Sequence, residues 1–260
     1  MDLRLTDKVV VITGGAKGIG AAIVRACASE GAVPVIVGRD AKAGQQLQSD
    51  LKRSGASCGL ITVDLSSPEV CSQAIEETVQ EFGRLDALVN NAGSNDKVGL
   101  EHGSPSEYIA SLNRNLVHYY NMAHYALPHL KRSRGSIVNI GSKTAFTGQG
   151  GTSGYAASKG AIMALTREWA AELLPYDIRV NAVVAAEVMT PLYRRWLDSF
   201  PSPEEKLETI LSKIPLGKRM TTAEEIAAMT VFLISDQSGH TTGQHIFVDG
   251  GYVHLDRALT

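Results

Sequence analysis

The sequence is poor in several things that would narrow its class quickly. It has three cysteines, Cys27, Cys58 and Cys71, an odd number with no CxxC spacing. That argues against a disulfide frame or a zinc site, and reads the thiols as small hydrophobes of a reducing compartment. No metal is expected. There is no excess of one charge: 25 Lys and Arg stand against 27 Asp and Glu. A general nucleic-acid binder would show a basic surplus. No apolar stretch approaches the roughly 18 to 20 residues of a membrane span. Met1 to Lys8 mixes charges before the first apolar run and carries no signal-peptide pattern. The expected location is the cytoplasm, with neither membrane nor nucleic acid as partner. Repeats, low-complexity tracts and Pro/Gly/Ser linkers are also missing.

What the chain does have is rhythm. Short β-branched runs alternate with segments of helical period. The strand-like runs are Val9 to Thr13, Val33 to Val37, Cys58 to Val63, Leu85 to Val89, Ser136 to Ile140, Ile178 to Val184 and His245 to Val248. They are apolar nearly throughout, as parallel strands covered on both faces should be. The expected fold is α/β: a single Rossmann-type domain, residues 1–260, with a doubly wound parallel sheet of about seven strands. Pro191 to Pro215 interrupts the rhythm and is expected to form a small helical flap, 190–215.

Val9 to Thr13 runs into Gly14-Gly15-Ala16-Lys17-Gly18-Ile19-Gly20. Glycines at a strand-to-helix turn let backbone approach a pyrophosphate, and the helix N-terminus offers N–H groups and a positive dipole end. The strand before and the helix after make this more than a stray glycine loop. For the cofactor, the second strand ends in Gly38-Arg39-Asp40. An acidic residue at the ribose-facing position would favour NAD. Gly38 stands there, and Arg39 with Lys17 could clamp a 2′-phosphate, so NADP is expected over NAD. Two alternatives stay open: both cations are ordinary solvated charges, or Asp40 restores NAD binding.

Tyr155 and Lys159 are four residues apart, so on a helix they share a face. Ser142 follows the Ser136 to Ile140 strand, and ligands of open α/β sheets lie beyond strand carboxyl ends. With these residues in hand the chain resembles the short-chain dehydrogenase/reductase family along nearly its whole length. The matching motifs are Thr13-Gly14 through Gly20, Asp64-Leu65, Asn90-Asn91-Ala92-Gly93, Asn115, Ser142, Tyr155 with Lys159, and Asn181. The resemblance implies that Tyr155 is the acid/base. It implies that Lys159 lowers the tyrosine's pKa and holds the nicotinamide ribose, that Ser142 bonds the reacting oxygen, and that Asn115 positions a relay water. It places Asp64 and Leu65 at the adenine, Asn91, Ala92 and Gly93 along the cofactor cleft, and Val188 and Thr190 at the nicotinamide amide. One departure is that Ala185-Ala186 stands where the family carries Pro-Gly, so that loop is either more mobile or shaped by other contacts.

Three strand-end loops should form the substrate pocket: Ser94 to His102, Lys143 to Thr152 and Ala185 to Trp196. Their polar inventory is Asn95, Asp96, Glu101, Lys143, Gln149, Glu187 and Arg194. That set suits a ligand with several hydroxyls, though each residue could instead simply face water. Asn95, Ser142, Lys143, Gln149, Tyr155, Glu187 and Met189 are the substrate candidates. Lys143-Thr144 with Thr147 to Gly150, Glu187 to Tyr193 and the tail from Val248 to Leu259 resemble sugar-oxidising members, the bacterial L-fucose dehydrogenases, and 252–260 extends as a C-terminal tail. This implies oxidation of an aldose at its anomeric carbon to the lactone. A reductase of acyl, ketone or steroid carbonyls and a non-enzymatic cofactor-binding regulator are the alternatives. The resemblance also implies a homotetramer, formed through the Tyr155 helix and the segment Ser106 to Leu127, where Leu112, Leu116, Tyr119, Tyr120 and Ala123 offer apolar surface.

Overall fold

Side chains of a strand alternate between faces, so an all-apolar strand needs cover on both. The computed structural model supplies that cover; it describes residues 1–256, and Arg257 to Thr260 of the expected tail lie outside them. The strands are β1 (Val9–Thr13), β2 (Val33–Gly38), β3 (Gly59–Thr62), β4 (Ala87–Asn90), β5 (Ser136–Ser142), β6 (Arg179–Ala185) and β7 (His245–Val248). They form one parallel sheet in the order β3-β2-β1-β4-β5-β6-β7. The expected doubly wound Rossmann-type architecture is therefore present. All seven expected runs are strands: β1 and β7 match end to end, and the ends of the other five are displaced by a residue or two. The displacement at β5 matters, because the strand continues to Ser142.

The helices are α1 (Gly18–Ser29), α2 (Ala41–Arg53), α3 (Pro68–Phe82), α4 (Pro105–Leu112), α5 (His118–Ser133), α6 (Ser153–Glu172), α7 (Pro191–Leu197), α8 (Pro203–Ser212) and α9 (Ala223–Ile234). Val10 and Ile12 of β1 pack with α1, α2 and α9 through Ile23, Leu47 and Ile226. Val9 and Val11 point the other way, to α3, α5 and α6 through Ile75, Met122 and Ile162. Strand order reverses between β1 and β4, which opens a crevice beyond their carboxyl ends. The flap is helical as expected: α7 and α8 fill Pro191 to Pro215, with Tyr193, Trp196 and Phe200 edge to face. No helix among the described residues is long and apolar enough to cross a membrane.

Candidate active site

On one side of the crevice the site is made of backbone. Gly14 has φ 64°, and a Cβ on Gly20 would stand 2.2 Å from the Gly14 carbonyl oxygen. Only glycine lets the turn through Ala16, Lys17, Gly18 and Ile19 fold this tightly. Thr13 Oγ1 accepts from the N–H groups of Asn91 and Ala92 at 2.9 and 3.1 Å. Asn91 returns bonds to the carbonyls of Thr13 and Gly14 at 2.9 and 3.3 Å. The segment Asn91 to Gly93 is thus stitched to the glycine turn. Side chains of Asp40, Ser67, Ser104 and Thr222 cap α2, α3, α4 and α9. α1 has no side-chain cap and no acid in its first turn. Its N–H groups and positive dipole end suit the pyrophosphate of a dinucleotide.

The nearby charges are paired. Lys17 bonds Asp40, whose other oxygen accepts from Ala43 N–H at 3.0 Å and so caps α2. The lysine holds the Asp40 carboxyl below the usual carboxylate range. Arg39 lies 3.6 Å from Asp64, both well exposed, while Leu65 is buried in the core. Asp40, the residue that could have favoured NAD, is engaged by Lys17 and by the helix it caps.

On the other side, β5 and α6 bring the reactive groups together. Lys159 is buried, and its ammonium donates to Tyr119 Oη at 3.0 Å and to the Ile140 carbonyl at 2.9 Å. It stands 5.6 Å from the centroid of the Tyr155 ring. Burial draws Lys159 down to about 7. Burial also raises Tyr155; a hydrogen bond from Ser142 lowers it in part, and the Asp96 charge adds to the rise. The net direction at Tyr155 is thus upward and set by desolvation, opposite to the lowering that the resemblance implies. Ser142 Oγ accepts from Thr144 N–H and Oγ1–H at 3.3 and 3.1 Å, which leaves its own hydrogen for Tyr155 or a substrate oxygen.

Asn115 occupies a π-helical turn, Asn113–Val117, between α4 and α5. Such bulges re-aim side chains at functional sites. Asn115 accepts from Ser94 N–H at 2.8 Å and donates to the Ser111 carbonyl at 3.1 Å. Its side chain thereby holds the loop after β4. Asp96, expected in the pocket, is instead an internal brace: it takes Ser111 Oγ–H at 2.9 Å and Arg114 at 3.1 Å.

The remaining pocket candidates divide sharply. Asn95 is exposed and accepts from Lys97 N–H, and Gln149 is exposed and bonds Thr152. Glu101 lies 3.7 Å from His102, both exposed, and Arg194 pairs with Asp198 and Glu204. Met189 is exposed. Lys143 and Glu187 are buried and form an ion pair. Glu187 also accepts from Tyr193 Oη–H at 2.7 Å, and the Lys143 ammonium stands 4.1 Å from the centroid of the Tyr252 ring.

The loop with Ala185-Ala186 is shaped by other contacts. Glu187 O accepts from Thr221 N–H at 3.0 Å, and buried Val188 bridges to Thr221. Thr190 caps α7 by accepting from Tyr193 N–H at 3.1 Å, and its side chain abuts Gly18. Asn181 is structural, tying β6 to the loop before β7 through Thr241 and Gln244. Tyr119 and Ala123 are corrected: Tyr119 is fully buried beneath Lys159 and Ala123 lies in the core, whereas Tyr120 is exposed. Among described residues of the tail, Tyr252 lies against Lys143, and His254 packs on Phe247 with ring centroids 4.3 Å apart.

A sequence profile described as Enoyl-(Acyl carrier protein) reductase matches residues 14–253. The chain belongs to the short-chain dehydrogenase/reductase family. It is 38% identical to 3-oxoacyl-[acyl-carrier-protein] reductase FabG of Thermotoga maritima, covering 96% of this chain and all of that one. It is 39% identical to L-fucose dehydrogenase of Oryctolagus cuniculus, covering 95% of this chain and 86% of the relative. Among solved structures, Cj0485 dehydrogenase superposes with TM-score 0.95 at 48% identity, covering 100% of this chain and 99% of that one. The aldohexose dehydrogenase AldT of Thermoplasma acidophilum superposes with TM-score 0.89 at 31% identity, with 98% of each chain covered. The reaction class is oxidoreduction. Acyl-carrier and sugar enzymes stand at the same distance, so identity alone does not choose the substrate.

Proposed function

We propose that the protein is an NADP-preferring aldose 1-dehydrogenase that oxidises L-fucose or a related sugar to its lactone. The observation that carries this reading is the buried Lys143–Glu187 pair beside Ser142. Burying charge is costly unless it is paired and bonded, and an acyl chain gains nothing from such a wall. A neutral polyol can bond both partners. Ser142 holds the anomeric oxygen, and Tyr155 takes its proton. Lys159, fixed by Tyr119 and the Ile140 carbonyl, stands beside the Tyr155 ring, where its protonated form would favour the tyrosinate. Nicotinamide, when bound, supplies the hydride acceptor.

The preference for NADP rests on Gly38, which offers no carboxylate to a ribose, and on Arg39 and Lys17. Their exposed pairs with Asp64 and Asp40 are weak and exchangeable for a 2′-phosphate. A homotetramer in the cytoplasm completes the reading. Ile109, Val117 and Tyr120 are exposed on α4, the π turn and α5 and suit a subunit interface; a monomer in sedimentation at micromolar concentration would contradict this. The similarity to FabG favours a second reading, reduction of a 3-oxoacyl substrate. Absorbance of reduced nicotinamide, followed with a panel of aldoses and either cofactor, tests the choice. Aldose-dependent NADP reduction supports the first reading, and its absence with every sugar removes it.

A further inference from the structure

One charged cluster at the carboxyl ends of β5 and β6 takes no part in moving the proton. Lys143 follows Ser142 at the end of β5, and Glu187 lies two residues beyond Ala185 at the end of β6. Ser142 and Ala185 are register partners, so adjacent strands deliver the pair side by side next to the reacting centre. Both side chains are only about a tenth exposed. Tyr193 comes from the flap helix α7 and Tyr252 from the tail, so four segments converge on one ion pair.

The fold gains little from such a pair. Replacing a buried salt bridge with packed apolar residues is often neutral or stabilising. The pair does, however, set out a defined hydrogen-bonding pattern. A carboxylate offers about four lone-pair sites and an ammonium three donors. Among the described residues, Glu187 accepts from Lys143 and Tyr193, and Lys143 donates to Glu187. That leaves acceptor capacity on one partner and donor capacity on the other. Two adjacent hydroxyls match it, one donating to Glu187 while its neighbour accepts from Lys143. A ketone or thioester has acceptors only and would leave the carboxylate desolvated and unmatched. An anionic ligand meets Glu187 as a like charge, and a cationic one meets Lys143.

We propose that the Lys143–Glu187 pair is a specificity determinant that reads two adjacent hydroxyls of a neutral substrate, with Tyr193 and Tyr252 holding it in place. The aldose reading supplies the identity of that substrate; the diol chemistry is argued from the pair itself.

The test uses the full chain with NADP present. Wild type, the double variant Lys143→Met/Glu187→Met and the milder Glu187→Gln are compared on L-fucose and its 2-, 3- and 4-monodeoxy analogues. Readouts are kcat/KM and, independently, calorimetric binding of the sugars and of NADP. The double variant avoids a stranded charge; if it fails to fold, Glu187→Gln carries the test. Wild type should favour L-fucose over at least one monodeoxy analogue by roughly 10- to 150-fold. The double variant should lose that discrimination, Glu187→Gln should lose part of it, and NADP affinity should stay within about two-fold. Discrimination retained by the double variant, or by Glu187→Gln where the double variant does not fold, overturns the proposal, as does its absence in wild type. If wild type oxidises no sugar, the aldose reading falls and binding decides. Sugar binding that the substitutions abolish sustains the diol site; no binding, or binding that survives them, overturns it.

Discussion

The two sides of the cleft are made of different material. The β1–α1 side is backbone: a left-handed glycine, a close approach, and a turn tied to the segment after β4 by Thr13 and Asn91. The β5–β6 side is side chain: Ser142, Tyr155, Lys159 and the Lys143–Glu187 pair. Backbone geometry binds what all members of a cofactor class share, such as a pyrophosphate. Side-chain charge can distinguish one substrate from another. Substitutions on the second side should therefore separate chemistry and specificity from cofactor binding.

The largest separation is expected at Tyr155. Tyr155→Phe should reduce turnover by about 100- to 10,000-fold, the usual worth of a positioned acid/base. NADP affinity and melting temperature should stay close to wild type. Retention of a tenth of the activity would show that another group moves the proton.

Stability should expose the Lys143–Glu187 pair next. Glu187→Ala strands a buried ammonium, and breaking such a pair costs about 3–5 kcal/mol. The double variant Lys143→Met/Glu187→Met should recover most of that loss in urea denaturation. Equal stabilities for all three proteins would mean that the pair is hydrated and not buried in solution.

On the backbone side, Arg39→Ala should weaken NADP roughly 10-fold while changing NAD little, because one charge-assisted contact is lost. An equal effect on both cofactors in fluorescence titration would remove the basis for NADP preference.

A further difference concerns pH. Lys159 is drawn by burial to about 7. From neutrality up to the ordinary lysine range the unfolded chain then binds more protons than the folded one, so stability rises with pH. The stability difference between wild type and Lys159→Met should grow in favour of wild type from about pH 7 to pH 9. A flat difference would place the folded-state titration elsewhere.

The backbone side was legible in the sequence because its signals are local. The apolar runs marked every strand, and the glycine spacing marked the turn. Ser142, Tyr155 and Lys159 were legible through strand-end logic and helical spacing. Tyr119 was misplaced because a helix rich in apolar residues does not announce which face meets the sheet. Lys143 and Glu187 were both candidates, but nothing in the sequence joined them. They are 44 residues apart and meet only because Ser142 and Ala185 share a register. Asp96 was legible as a charge in the right loop, but its commitment to Ser111 on α4 and Arg114 on the π turn is a tertiary contact that no spacing announces. The contacts that replace Pro-Gly after β6 come from Thr221, on a segment no spacing rule connects to it.

The most direct test of the account sets the two substrate classes against each other on one enzyme preparation. The ratio of kcat/KM for L-fucose with NADP to that for a 3-oxobutyryl thioester with NADPH is measured at neutral pH. A cleft whose substrate side is lined by the Lys143–Glu187 pair should give a ratio well above one. Rapid thioester reduction with no oxidation of the sugar would contradict it and return the protein to the acyl reductases.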